Sequence, residues 1–354
     1  MTISKCLVKV VGGEDLTEEE AYQSMMDIMK GEATHAQTAS FLTALSIKGE
    51  TVTEITGFVG AMRESSLKVR STKNPLVDTC GTGGDTLKTF NVSTAAAIIA
   101  ASCGVTIAKH GNRSITSKCG GADILEAVGV NINCNDQEVE YCLENAGIGF
   151  MFAPVFHPAM KNVALVRNEL GIRTIFNILG PLTSPANADM QLLGVFDPDL
   201  VEPLAHVLNN LDVERAMVVH GFDSEGNPAM DEISTVGKTR VALLREGSVE
   251  VFELHPEDFG IEKTVEEHII APDTLEENME IFHRVLRGEI ASPADEARFN
   301  LCLVNAAAIL YMAGKADSFT KGMDVALKAV EDGEALRQLD KFIVASKKGG
   351  WQSG

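Results

Sequence analysis

The stretch that decides the fold reads Leu76-Val77-Asp78-Thr79-Cys80-Gly81-Thr82-Gly83-Gly84-Asp85. A short apolar start runs into three glycines within four positions. A hydroxyl-rich segment, Thr89-Phe90-Asn91-Val92-Ser93-Thr94, then opens an Ala/Ile-rich helix expected from about Ser93 to Ser102. Strand, glycine turn and helix start in that order bring backbone close to a ligand and aim free N–H groups at an anion. No GK[ST] follows the glycines, so the turn is not a P-loop, and the spacing is not G-x-G-x-x-G.

Toward the C-terminus, short apolar runs alternate with helical stretches. Strands are expected at Val105 to Ala108, Ile148 to Phe152, Leu192 to Phe196 and Ala216 to Val219, with a helix near Pro198 to Leu211. Such alternation implies parallel pairing with helices on both faces. Val241 to Leu244 and Val249 to Leu254 read as an antiparallel pair around Glu246-Gly247, and from Leu275 the chain returns to helices. Toward the N-terminus, Thr17 with Glu20, Thr34 with Gln37, and Thr51 with Glu54 are capping boxes that open short amphipathic helices. The expected fold class is α/β. A small N-terminal helical domain covers 1–72, and a larger α/β domain with a mostly parallel central sheet covers 73–345. A tail over 346–354 is expected to fray.

The 354 residues carry 30 Lys and Arg against 50 Asp and Glu, a net charge of -20. That balance excludes nucleic-acid and anionic-membrane surfaces as partners. Seven scattered cysteines without metal-ligand spacing fit free thiols in a reducing compartment. The longest apolar runs, such as Ala95 to Ala101, fall far short of the roughly 18 residues that span a bilayer. A cytoplasmic location is expected.

Three further clusters carry chemistry. Lys109-His110-Gly111-Asn112-Arg113-Ser114-Ile115-Thr116-Ser117-Lys118 follows a strand and has the composition of an anion-binding loop. Between Cys80 and Gly121 stand Lys88, Lys109, Arg113 and Lys118 against Asp85 alone, a local excess of three positive charges. Asp231-Glu232 follows a strand and a polar loop, and adjacent carboxylates suit Mg²⁺. His157-Pro158-Ala159-Met160-Lys161 marks a helix start and precedes Arg167, whose guanidinium is suited to clamp a carboxylate.

Taken in order, Gly81-Thr-Gly-Gly-Asp85, Asn91-Val-Ser-Thr94, Lys109-His-Gly-Asn-Arg113, Ala122-Asp-Ile-Leu-Glu126, His157-Pro-Ala-Met-Lys161, Arg173-Thr-Ile-Phe-Asn177 through Gly180-Pro181, and Asp231-Glu-Ile-Ser234 resemble the anthranilate phosphoribosyltransferases. The resemblance runs from the N-terminal helices to about residue 345. It implies a helical domain joined to an α/β domain with the active site in the cleft, and a homodimer formed through the helical domain. Part of 157–190 would be added to that helical domain.

The implied reaction transfers the 5-phosphoribosyl group of phosphoribosyl pyrophosphate to the amine of anthranilate, the second step of tryptophan biosynthesis from chorismate. The resemblance also implies site roles. Gly81, Gly84, Asp85, Thr89, Asn91, Val92, Ser93 and Thr94 would bind the donor. So would Lys109, His110, Gly111, Asn112, Arg113, Ser114, Ile115, Thr116, Ser117 and Gly121. Gly81, Asn112 and Arg167 would position anthranilate, with Arg167 facing its carboxylate. Ser93, Asp231 and Glu232 would hold Mg²⁺. No general base is nominated, because the aromatic amine needs chiefly positioning.

Three positions depart from the family pattern. Gly121 stands where relatives usually carry a small hydroxyl residue, Phe222 to Met230 is longer, and Leu165 replaces a polar residue or proline. The rival readings are transfer to another aromatic amine, a nucleoside phosphorylase of the same fold, and a phosphate-binding module without chemistry. Asn112-Arg113 argues against the phosphorylase, and the retained Asp231-Glu232 argues against the inert module.

Overall fold

The structure is a computed structural model that describes residues 3–84, 86–113 and 119–348. Asp85, Ser114, Ile115, Thr116 and Ser117, all expected at the donor site, lie outside the described residues, as do 349–354 of the expected tail.

Four helices open the chain: α1 (Ile3–Val11), α2 (Glu18–Met29), α3 (His35–Lys48) and α4 (Val52–Glu64). All three expected capping boxes form, with the Thr17, Thr34 and Thr51 hydroxyls each accepting from the third helical N–H. Each such cap contributes about 1 kcal/mol. The apolar faces meet around Met25, Leu42 and an edge-on pair of Phe41 and Phe58 with centroids 6.1 Å apart. Gly57 lets α4 pack closely on α2: a Cβ there would lie 2.3 Å from the Glu18 carbonyl oxygen.

Among the described residues, eight strands form one sheet: β1 (Leu76–Gly81), β2 (Thr106–Gly111), β3 (Ile148–Phe152), β4 (Met190–Gly194), β5 (Arg215–Phe222), β6 (Pro228–Met230), β7 (Thr239–Arg245) and β8 (Ser248–Leu254). The order is β3-β2-β1-β4-β5-β7-β8, with β6 paired to β5. The five strands from β3 to β5 are parallel, and β6, β7 and β8 add antiparallel pairs. From β1 the chain winds outward to β2 and β3 on one side and to β4 and β5 on the other. The winding therefore reverses between β1 and β4, and ligands of open α/β sheets bind outside the strand ends at such a point.

Alternate residues of one strand feed two cores, as the period of two requires. Leu192, Met217, Val219 and Val241 face α5 (Val92–Ser102) and the Pro293–Met312 helix. Leu193, Val218, Ala242 and Leu244 share the other core with the four N-terminal helices. That second core also takes in Val163 and Val166 of the Lys161–Leu170 helix and Phe176, Leu179 and Leu182 of the Phe176–Leu182 helix. Between bundle and sheet, Leu67 N–H donates to Phe156 O at 2.9 Å, and Arg63 Nε donates to Leu182 O at 3.0 Å.

Two expectations are corrected. The chain does not fray from residue 346: the last helix runs Glu334–Lys348, and buried Ser346 accepts from Asn131 N–H at 3.0 Å. The strand expected to reach Phe196 ends at Gly194, because Phe196 N–H turns to Thr82 Oγ1 at 2.9 Å. Among the described residues, no helix is long and apolar enough to cross a membrane.

Gly57→Ala should destabilise the protein by about 1–3 kcal/mol, because a close-packed interface has no room for the methyl group. Chemical denaturation measures this, and an unfolding midpoint equal to that of the wild type would refute the close α2–α4 contact.

Candidate active site

The site is built at the ends of the parallel strands. Register sets Gly81 of β1 directly beside Gly194 of β4. Both lie under Asp231: a Cβ on Gly81 would fall 2.1 Å from Asp231 Oδ2, and one on Gly194 would fall 1.6 Å from the Asp231 carbonyl oxygen. Only glycine leaves room for the Asp231-Glu232 turn to cross the strand ends. Asp231 Oδ2 then accepts from Gly83 N–H at 2.8 Å, and Glu232 Oε1 accepts from Ser93 N–H at 3.2 Å. Two adjacent carboxylates thus meet the glycine loop on one side and the start of α5 on the other.

Lys109 of β2 reaches into the same region from below. It is buried, and its Nζ donates to Thr79 O at 2.5 Å and lies 3.3 Å from Ser93 Oγ. Burial lowers its pKa, while Cys80, Asp78, Glu232 and Asp231 oppose the shift. Burial raises the Asp231 carboxyl, against the Gly83 N–H and Lys109. Beside this group, buried Thr94 Oγ1 has no hydrogen-bond partner among the described residues, and a Cβ on Gly121 would lie 3.3 Å from it. A buried hydroxyl left unpaired at a helix start is suited to a ligand oxygen.

On the other side of Lys109, His110 and His157 form a buried pair, with Nε2 to Nε2 at 3.2 Å. Burial pushes His110 down to about 3 and His157 down to about 4, so both rings are neutral near pH 7. Arg167 stands on the Lys161–Leu170 helix with its guanidinium 5.3 Å from the Phe176 ring centre, and burial lowers its pKa.

Comparison with known proteins now bears on this geometry. The family model described as "Glycosyl transferase family, a/b domain" matches residues 73–336, and that described as "Glycosyl transferase family, helical bundle domain" matches 4–66. The anthranilate phosphoribosyltransferase of Methanothermobacter thermautotrophicus is 52% identical over 97% of this chain and 98% of its own. The chain belongs to the anthranilate phosphoribosyltransferase family. The enzyme of that name from Methanothermobacter marburgensis is 54% identical over 93% of this chain and 94% of its own. The crystal structure from Thermus thermophilus is 41% identical with a TM-score of 0.88, over 96% of this chain and 99% of that one. The Saccharomyces cerevisiae enzyme in complex with PRPP and Mg is 27% identical with a TM-score of 0.87, over 98% of each chain.

Many of the expected residues of this family converge. Gly81, Gly84, Val92, Ser93, Thr94, Lys109, Gly121, Asp231 and Glu232 surround the region between the glycine loop and α5. Asn91 closes the loop ahead of α5, with Nδ2 donating to Cys119 O at 3.1 Å, and Thr89 pairs with Ile270. Gly111 ends β2, and Asn112, exposed just beyond it, accepts from Arg113 N–H through Oδ1 at 2.8 Å.

Arg113 is turned elsewhere. Its guanidinium pairs with Asp123 at 2.7 Å and Glu126 at 2.8 Å on the face of α6 (Gly121–Ala127), and lies 5.6 Å from the Phe152 ring centre. Part of the local positive excess is therefore balanced by acids just beyond the counted window. The longer Phe222 to Met230 segment folds as a hairpin leg, with β6 against β5 and Asn227 N–H on Asp223 Oδ1 at 2.7 Å. It delivers Asp231 to the strand ends. Leu165 is half-exposed on its helix.

Sequence reasoning missed Gly194, whose need for glycine follows only from the register with Gly81. It also gave no role to Asp78, which joins β1 to β2 by accepting His110 N–H at 3.0 Å. Burial pushes the Asp78 carboxyl from 3.8 up to about 6, against the His110 N–H and Lys109. Its neutral form is favoured in the folded chain, so its contribution to stability is full below the unfolded pKa and lost as pH rises through the folded one. Asp78→Asn, neutral throughout, should flatten the fall in unfolding free energy between about pH 4 and about pH 6. Denaturant titrations across that range read the slope, and an unchanged slope would show that Asp78 does not titrate there.

Proposed function

We propose that this chain transfers the 5-phosphoribosyl group of phosphoribosyl pyrophosphate to the amine of anthranilate, giving N-(5-phosphoribosyl)anthranilate and diphosphate. The observation that carries the reading is the convergence of Asp231, Glu232, Ser93 and Lys109 at the reversal point of the sheet. Transfer from this donor requires departure of a diphosphate from an oxocarbenium-like carbon, so the site must neutralise a concentrated negative charge.

Gly81, Gly84, Asp85 and Thr89 line the donor in this reading. The N–H groups and hydroxyls of Asn91, Val92, Ser93 and Thr94 take phosphate oxygens at the start of α5. Lys109 supplies a positive charge, and the residues from His110 to Ser117, with Gly121, also bind the donor in this reading. Arg113, read as a donor residue, is paired with Asp123 and Glu126 in this structure.

Ser93, Asp231 and Glu232 are hard oxygen donors that fit Mg²⁺, an ion that keeps waters and phosphate oxygens beside one or two carboxylates. When bound, the ion supplies charge to the departing diphosphate. The chain's own residues hold and orient the reactants. Gly81, Asn112 and Arg167 position anthranilate, with the Arg167 guanidinium toward its carboxylate. The neutral His110 and His157 place no second cation beside the acceptor. The amine needs orientation more than proton removal.

We extend the proposal to assembly and place of action. The helical domain, 1–72 with part of 157–190, is read as the homodimer contact, since α1 and α3 expose Val8, Val11 and Ile47. The seven free cysteines accord with a reducing cytoplasm.

Anthranilate fluorescence should fall only when enzyme, phosphoribosyl pyrophosphate and Mg²⁺ are all present. No fall at high enzyme concentration would sink the assignment, and a panel of aminobenzoates would read acceptor breadth. Arg167→Ala should weaken anthranilate binding by about 10- to 100-fold, the loss of a charge-assisted hydrogen bond, with donor affinity little changed. Equal weakening of both would contradict its place at the acceptor. Asp231→Asn with Glu232→Gln should lower kcat/KM by about 100-fold or more and raise the Mg²⁺ concentration needed for half-maximal rate. Retention of the wild-type magnesium dependence would remove these carboxylates from the metal.

A further inference from the structure

Arg173 has no part in the chemistry above, yet it joins three pieces of the chain. Its carbonyl accepts from Ser46 Oγ at 3.3 Å, which ties it to α3 of the helical bundle. Its guanidinium lies 4.3 Å from the Phe196 ring centre, and its Nη2 donates to Gly84 O at 2.8 Å. Phe196 N–H in turn donates to Thr82 Oγ1 at 2.9 Å, and Thr82 N–H donates to Gly194 O at 3.0 Å. The side chain therefore grips the glycine loop twice, at Gly84 directly and at Thr82 through Phe196.

The loop has little else to set its shape from within. Gly83 and Gly84 adopt φ values of +65° and +81°, and neither carries a side chain that packs. A flat guanidinium can stack on a ring and present an N–H edge to a carbonyl at the same time, which an ammonium cannot. The fit is close, since a Cβ on Gly84 would lie 3.1 Å from Nη2. Arg173 also stands two residues after Gly171, the left-handed cap of the helix that carries Arg167.

We infer that Arg173 is a positioning residue that holds the glycine loop in its donor-binding shape and sets that loop together with the bundle and the Arg167 helix. The inference rests on the donor reading of the site given above. It predicts that donor affinity depends on Arg173 although Arg173 acts through Gly84 and Phe196.

Isothermal titration with phosphoribosyl pyrophosphate and Mg²⁺, without acceptor, tests it on the full chain. Arg173→Ala should raise the donor Kd by about tenfold, the scale of one charge-assisted hydrogen bond, and raise the donor KM more than it lowers kcat at saturating donor. Arg173→Lys should fail to restore affinity. Phe196→Leu should weaken donor binding by itself, and the double variant should be no weaker than Arg173→Ala within about twofold, because the two act through one contact. Should Arg173→Ala fail to fold, Phe196→Leu and Arg173→Lys carry the test.

Multiplying effects in the double variant, full rescue by lysine, or a donor Kd unchanged in both Arg173→Lys and Phe196→Leu would overturn the inference. A wild-type protein that does not bind the donor would overturn the donor reading itself. Wild-type binding with unaffected variants would overturn only the role of Arg173.

Discussion

The site depends on the space left by two glycines that have no side chain. At the reversal point of the sheet, Gly81 and Gly194 lie side by side, with the Asp231 carboxylate against Gly81 and the Asp231 backbone against Gly194. A methyl group at Gly194 would collide with backbone rather than with a movable side-chain tip, so the constraint cannot be relieved by a rotamer change. The close approach lets one short turn, Asp231-Glu232, reach the glycine loop and the start of α5 at once. Strand register therefore fixes the site before any charged group is considered.

Charge is then arranged in depth. Lys109 is buried beneath the carboxylates and held by the Thr79 carbonyl, and it stands near Ser93. Burial works against its charge, while four neighbouring acidic groups support it. Asp231 shows the mirror case, raised by burial and held down by the Gly83 N–H and Lys109. Opposite charges that are each destabilised by burial gain from a ligand that brings both phosphate oxygens and a cation. This is preorganised electrostatics, in which the cost of burying charge is met on folding rather than during reaction.

Much of this was legible in the sequence, for physical reasons that differ by feature. The capping boxes at Thr17, Thr34 and Thr51 are local, so residue type and spacing suffice, and all three form. The strand-turn-helix at 76–102 is also local. The ion pairs of Arg113 were not legible, because the window that counted charge stopped before Asp123 and Glu126, one helical turn apart on α6. The pairing of His110 with His157 spans 47 positions and depends on how β2 meets the segment after β3. Gly194 likewise looks like any strand-end glycine until its neighbour is known. The last helix continues past residue 345 because Ser346 bonds to Asn131, a contact between distant segments that composition cannot reveal.

The net charge of -20 looks at odds with a phosphate-rich donor, and the geometry resolves the conflict through distance. Exposed charges separated by more than about 8–10 Å are largely screened at physiological ionic strength. In the proposed reading the donor is governed by its nearest groups, among which Lys109, the start of α5 and the Asp231-Glu232 carboxylates dominate. The acidic remainder of the surface acts on solubility and on which polymers stay away. A small donor that arrives with its own divalent cation feels little of that field, whereas a nucleic acid with charges spread over the whole surface feels all of it. The same charge distribution is therefore compatible with the one and unfavourable to the other.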